Sequence, residues 1–184
     1  MSAQRAEGRF LSSLRGLKQT RCLVSCALLL AMEIALNLAV SIPIGPTIRV
    51  SFGYLCVAAT GLLFGPLPAI ACGALGDIIG HVIKPMGAYF PGFTLSAMIG
   101  GFVYAWFFYE RPVTLTRAAL SKLIIDVAVN LLLNTFWLKI LYGKGFWAIL
   151  PGRAIKNLAQ YPVDVLLLYI WLRWLNGQRS RLRF

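Results

Sequence analysis

The sequence predicts an all-α integral membrane protein, a compact bundle of six transmembrane helices. Three observations carry this. The chain has 184 residues, of which 59% are hydrophobic. Only 13% are charged, against roughly 25% in a soluble domain. The apolar residues fall in runs separated by short basic or Pro- and Gly-containing connections, and a helix needs about 20 such residues to cross the hydrocarbon core. At that length the chain holds six spans and no soluble domain.

Residues 1–21 form a basic extension carrying Arg5, Arg9, Arg15, Lys18 and Arg21. Within it Phe10, Leu11, Leu14 and Leu17 can form an apolar stripe lying on the membrane surface. The apolar run over 22–44 is longer than a signal-peptide core, and more spans follow, so it predicts a retained first helix. A second span covers 51–64, and Gly65-Pro66-Leu67-Pro68 reads as a tight turn. A third covers 69–82. A loop with Pro85, Gly87, Pro91 and Gly92 leads to a fourth over 93–108, and a polar connection over 109–117 leads to a fifth over 118–141. Residues 142–152 read as a Gly- and aromatic-rich loop, and the last span runs over 153–175. The transmembrane domain is thus 22–176, followed by a basic tail over 177–184.

The net charge is +12. In a soluble protein this would point to nucleic acid; here it sets orientation, because Lys and Arg gather on the cytoplasmic side. With the N-terminus inside, twelve cations fall in inner segments: those of the extension, Arg111, Arg117, Lys122, Arg173, Arg179, Arg181 and Arg183. Six fall outside: Arg49, Lys84, Lys139, Lys144, Arg153 and Lys156. A multi-pass protein of the cell membrane with both termini cytoplasmic is expected. Cys22, Cys26, Cys56 and Cys72 sit in apolar segments at no metal-ligand spacing and read as buried thiols. No phosphate loop, GxSxG or HExxH is present. No cofactor, metal or catalytic residue is expected, and the chain does not read as an enzyme.

Ionisable groups in membrane helices are costly and face the bundle interior or a wet cavity. Glu33, Asn37 and Ser41 share one helix face at four-residue spacing. Asp77, His81 and Lys84 form a second stripe. Lys122, Asp126, Asn130 and Asn134 form a third. Lys156, Gln160 and Asp164 form a fourth, with Arg153 and Asn157 alongside. For Lys122, Asp126 and Asp164 interhelical hydrogen bonding is the preferred reading. Asn37, His81, Lys84, Asn134, Arg153, Lys156 and Asn157 share one depth and point to a cavity open to the outside. Tyr89, Phe90, Phe93, Phe136 and Trp137 add aromatic faces there, which serve an interfacial belt or a planar ligand. Opposite Glu33, the small residues Ala27, Ala31, Ala35 and Ala39 form a smooth face suited to close helix contact. Gly61/Gly65, Gly76/Gly80 and Gly92/Ser96/Gly100 repeat the spacing for internal packing.

The stretches Ile48-Arg49-Val50-Ser51-Phe52, Gly61-Leu62-Leu63-Phe64-Gly65-Pro66 and Gly76-Asp77, with the alanine spine, resemble the S components of energy-coupling-factor (ECF) vitamin transporters. The run from Gly87 to Ala97 (GAYFPGFTLSA), Leu133-Asn134-Thr135-Phe136-Trp137-Leu138 and Arg153-Ala154-Ile155-Lys156-Asn157 resemble the folate-specific type. The resemblance spans nearly everything after residue 20. It implies high-affinity capture of folate at the outer face, with a transmembrane coupling protein and two ATPases as partners and ATP-driven uptake. It places Ala27, Ala31 and Ala35 on the docking face. The pterin edge would be read by Asp77, Asn134 or Asn157, with Thr94 nearby. The aminobenzoyl ring would lie on Tyr89, Phe93 or Trp137. The two tail carboxylates would pair with Arg49, Arg153 or Lys156. An S component for thiamine, riboflavin or pantothenate, a membrane-embedded enzyme and a structural subunit are the competing readings.

Overall fold

The computed structural model describes residues 20–39, 42–43, 49–85, 89–142 and 146–178, with the side chains of 42–43, 49–50 and 142–150 left out. The elements are α1 (Thr20–Ala39), β1 (Ile42–Pro43), β2 (Arg49–Val50), α2 (Tyr54–Phe64), α3 (Pro66–Ile83), α4 (Pro91–Phe108), α5 (Leu115–Ile124), a π-helical segment (Ile125–Leu133), α6 (Asn134–Tyr142) and α7 (Phe146–Gln178). Because α5, the π segment and α6 follow one another without a break, the helices make six rods. The expected surface stripe over Phe10–Leu17 and the tail beyond residue 178 lie outside the described residues.

Four helices, Thr20–Ala39, Pro66–Ile83, Pro91–Phe108 and Leu115–Leu141, are long and apolar enough to cross a membrane. The exception in the first half is α2, whose 11 residues span only about 17 Å at 1.5 Å per residue. It is also the helix most enclosed by protein, with Cys56, Val57, Ala58, Ala59, Thr60, Gly61, Leu62 and Phe64 buried. Its neighbours α1, α3, α4 and α7 surround it. Ahead of α2, β1 and β2 pair antiparallel with Ile42 opposite Val50 and Pro43 opposite Arg49. An apolar run predicts helix or strand equally well over so short a stretch, and the first helix accordingly ends at Ala39, ahead of the expected position 44.

Two other boundaries differ from the sequence reading. The turn over 65–68 shrinks to Gly65 alone, whose φ of 92° only a residue without Cβ adopts freely. Pro66 then opens α3 at its first position, where its missing N–H costs nothing. The predicted loop over 142–152 is helical from Phe146 onward, and α7 runs 33 residues through Pro151 and Pro162. Proline is tolerated in membrane helices because neighbouring groups satisfy the freed carbonyls, so composition that breaks a helix in water does not break this one.

The main core joins Val57, Ala58, Leu62, Tyr104, Phe108, Leu168 and Leu172 from α2, α4 and α7. A smaller one joins Cys22, Cys26, Phe64 and Cys72. Close backbone approach knits α3 to α4: a Cβ at Gly73 would lie 2.7 Å from the Ala97 carbonyl oxygen, and one at Gly101 would strike the Ala69 carbonyl. Gly61 meets the Ala105 backbone in the same way, at 2.9 Å. Gly80 and Gly100 have nothing within 4 Å, so the packing role expected there does not hold. The face of α1 that carries Ala27, Ala31, Ala35 and Ala39 is exposed, together with Leu23, Val24 and Leu28, while Glu33 points inward and is 7% exposed.

Candidate functional site: a polar cavity among six helical rods

Polar stripes from separate helices can form a binding site only if the helices turn them toward one space. Here they do. A cavity of about 410 Å³ is lined by Glu33, Asn37, Ser51, Tyr54, Asp77, Phe93, Ser96, Tyr104, Lys122, Asn130, Asn134, Lys156 and Gln160, with small and apolar residues between them. This volume is in the usual range for a small-molecule site, about 300–1,000 Å³. Alternation of the rods puts Asn37, Ser51, Phe93, Asn134 and Lys156 toward the end of the bundle remote from Thr20 and Gln178. Glu33, Tyr104, Lys122 and Gln160 lie toward mid-bundle.

An ion cluster forms one wall. Lys122 Nζ lies 2.9 Å from Asp126 Oδ1 and 3.0 Å from Asp164 Oδ2, with all three side chains nearly sealed from solvent. The Tyr54 hydroxyl donates to Asp164 at 3.0 Å, and the Lys122 ammonium sits 4.6 Å from the Tyr54 ring centroid. The cluster ties α5 and the π segment to α7 and α2, as the interhelical reading of these residues expects.

Two hydrogen-bond chains run outward from it, and carboxylates fix their direction because they only accept. Asn130 donates to Asp126 at 2.9 Å, which turns its oxygen to receive the Asn134 amide at 3.3 Å. Asn134 is left presenting its carbonyl. Gln160 donates to both Asp164 oxygens, at 3.1 and 3.0 Å, and likewise presents its carbonyl. Among the described residues, five buried side-chain atoms lack a hydrogen-bond partner: Glu33 Oε2, Tyr104 Oη, Asn134 Oδ1, Gln160 Oε1 and Trp171 Nε1. Four of the five residues line the cavity. Buried polar atoms are rarely left unsatisfied, so the cavity has the character of a site that awaits hydrogen bonds from a guest.

The sequence-predicted residues fall into two layers. Asp77, Phe93, Asn134 and Lys156 line the cavity. Behind them, Thr94 donates to Asp77 at 2.7 Å and pairs with the Tyr89 hydroxyl at 2.8 Å. Trp137 donates to Ser96 at 3.1 Å and packs on Phe90. Arg153 donates to the Asn130 carbonyl at 3.2 Å, and Asn157 to the Asp126 carbonyl at 3.4 Å. These five support lining residues and are not themselves part of the lining. The Arg49 side chain lies outside the described residues. His81 packs against Tyr89, with ring centroids 5.3 Å apart. The sequence reading did not place Tyr54, Tyr104, Ser51, Ser96 or Glu33 at the site. Asn37, bonded to Ser51, was expected at the right depth. Among the described residues, no group of three or more His, Cys, Asp or Glu could hold a metal ion.

The chain matches the family described as "ECF-type riboflavin transporter, S component" over residues 18–173. It is 40% identical over 153 residues to a folate transporter, FolT, of Clostridium novyi, covering 83% of this chain and 88% of that protein. It is 32% identical over 152 residues to a FolT of Leuconostoc mesenteroides, covering 78% and 82%. A crystal structure of FolT bound with folic acid superposes with a TM-score of 0.78 at 28% identity, covering 83% of this chain and 93% of that one. That family consists of transporter subunits and not enzymes. By the extent of these matches and by its architecture, the chain is a multi-pass membrane protein belonging to the S-component family of ECF-type transporters.

Proposed function

We propose that the chain is the substrate-binding subunit that captures folate at the extracellular face for ATP-driven uptake by a coupling protein and two ATPases. The observation that carries this reading is the cavity itself, polar on several helices and furnished with a cation, Lys156, that has no ion pair among the described residues. A free ammonium beside a row of acceptors suits a ligand with a carboxylate tail and a donor-bearing head. Folate has both. The family description names riboflavin, whereas the relatives aligned at 40% and 32% identity are named for folate. Specificity lives in individual cavity residues, so the aligned relatives weigh more than a family-wide match.

The excess of basic residues at the termini supports a cytoplasmic location for both, which opens the cavity outward. The exposed alanine face, Ala27, Ala31 and Ala35, supports α1 as the docking surface for the coupling protein. In this reading Lys156, with Arg49, holds the tail carboxylates, and Arg153 braces the cavity wall behind it through the Asn130 backbone carbonyl. Phe93 offers the ring face, and Asp77 and Asn134 accept hydrogen bonds from the ligand, with Tyr89, Thr94, Trp137 and Asn157 fixing the lining from behind.

The test is a titration of the detergent-solubilised protein with folic acid, riboflavin, thiamine and pantothenate, followed by tryptophan fluorescence. Folic acid is expected to saturate at the lowest concentration by far; saturation by another vitamin at lower concentration overturns the assignment. Lys156→Ala removes a charge-assisted pair and is expected to weaken folic acid binding about 10- to 100-fold, whereas Arg111→Ala, on the far side of the bundle, leaves it unchanged.

A further inference from the structure

The orphaned atoms of the cavity share one property that the charge pattern does not reveal. Glu33 Oε2, Asn134 Oδ1 and Gln160 Oε1 are all acceptors, and Tyr104 is the only hydroxyl among them. The two amide oxygens are held in that sense by Asp126 and Asp164, which draw the amide N–H groups away from the cavity. Of the two carboxylates in the lining and the two in the ion cluster beside it, Glu33 is the one without a hydrogen-bond or ion-pair partner among the described residues. Asp77 accepts from Thr94, and Asp126 and Asp164 are paired with Lys122. Gly76 makes room for the Glu33 carboxylate: a Cβ there would lie 2.6 Å from Oε1. Glu33 thus sits in a fitted niche, more than nine-tenths buried, toward mid-bundle, away from Lys156.

We propose that Glu33 is the specificity-determining residue of the cavity, accepting two parallel hydrogen bonds from adjacent N–H groups of an aminopyrimidinone ring. The proposal rests on the folate reading and deepens it, because it moves recognition of the pterin edge from Asp77 to Glu33. The 2-amino group and the neighbouring ring N–H of a pterin are spaced to meet both oxygens of one carboxylate. The ligand then lies head inward at the acceptors and tail outward at Lys156. The same chemistry rejects a flavin. Its single ring N–H is flanked by two carbonyls, which would face Glu33 and the amide oxygens acceptor to acceptor, and buried polar groups left unpaired make a site reject the wrong ligand strongly.

The experiment uses the full chain in detergent and two probes: folic acid, and the analogue with methyl in place of its 2-amino group. Wild-type protein is expected to prefer folic acid by about 100-fold, the scale of one hydrogen bond to a charged group, because the analogue keeps its ring N–H and loses only the second donor. Glu33→Gln, which keeps shape and one acceptor, is expected to erase most of that preference by weakening folic acid alone. A wild type that binds both probes equally, or a variant that loses both equally or neither, overturns the role of Glu33 while leaving folate capture intact. A wild type that binds neither probe but takes another vitamin overturns the folate reading first and this proposal with it. The wild-type comparison stands even if the variant does not fold.

Discussion

Replacing Ala31 by Trp is expected to abolish uptake while folic acid binding stays within about twofold of wild type, as independent sites behave. Ala31 is exposed on α1 between Ala27 and Ala35, and the inward side of the same helix carries Glu33. A smooth face of small side chains lets another helix approach closely, and one indole on it holds that helix off. The cavity lies on the other side of α1 and is untouched. The measurement is accumulation of labelled folate in cells producing the chain with its coupling partners, beside binding by the purified variant. Uptake at the wild-type rate would mean that this face meets only lipid. Lost binding would mean that it supports the cavity.

Lys122→Met is expected to lower stability by about 3–5 kcal/mol, the cost of stripping a buried charge of its partner. In this molecule the cost falls on two carboxylates at once. Asp126 and Asp164 lie either side of one ammonium, at 2.9 and 3.0 Å, and without it they repel each other across the contact between the π segment and α7. For a chain of this size the melting temperature should fall by roughly 10 °C. Adding Asp126→Asn and Asp164→Asn should recover most of the loss, since replacing a whole buried cluster is far milder than breaking it. Thermal unfolding can be followed with a thiol-reactive dye, because Cys22, Cys26, Cys56 and Cys72 are buried and free. A single variant melting with wild type would show that the cluster contributes nothing to the fold.

The rods and their polar faces were legible in the sequence because both follow from periodicity. Four-residue spacing put Glu33 with Asn37 and Lys122 with Asp126, Asn130 and Asn134, and the structure keeps these groupings. Spacing cannot say which stripes converge, since that depends on helix rotation set by packing, and here by the close approach at Gly73 and Gly101. Asp77 and Asn157 therefore looked as good as Glu33 and Gln160, although the first is bonded to Thr94 and the second to a carbonyl on the π segment. Tyr104 was hidden for another reason. It sits in the apolar run of α4 with no polar residue one helical turn away on either side, so its unpartnered hydroxyl in the folded chain is what marks it. Phe146 was read as loop because it falls in the Gly- and aromatic-rich stretch 142–152, and the helix that starts there runs on through Pro151 and Gly152.

The π-helical segment has a geometric consequence for the row from Lys122 to Asn134. An α-helix closes a turn every 3.6 residues, so each four-residue step overshoots by about 40°, and three steps would carry the last member about 120° round the axis. A π turn, bonded i to i+5, winds more slowly, and the same step undershoots. With Ile125–Leu133 wound this way, the overshoot is largely cancelled, and the row holds unbroken contacts of 2.9, 2.9 and 3.3 Å. The widened winding acts as a phase correction: it lets a single helix aim side chains from three successive turns at one guest.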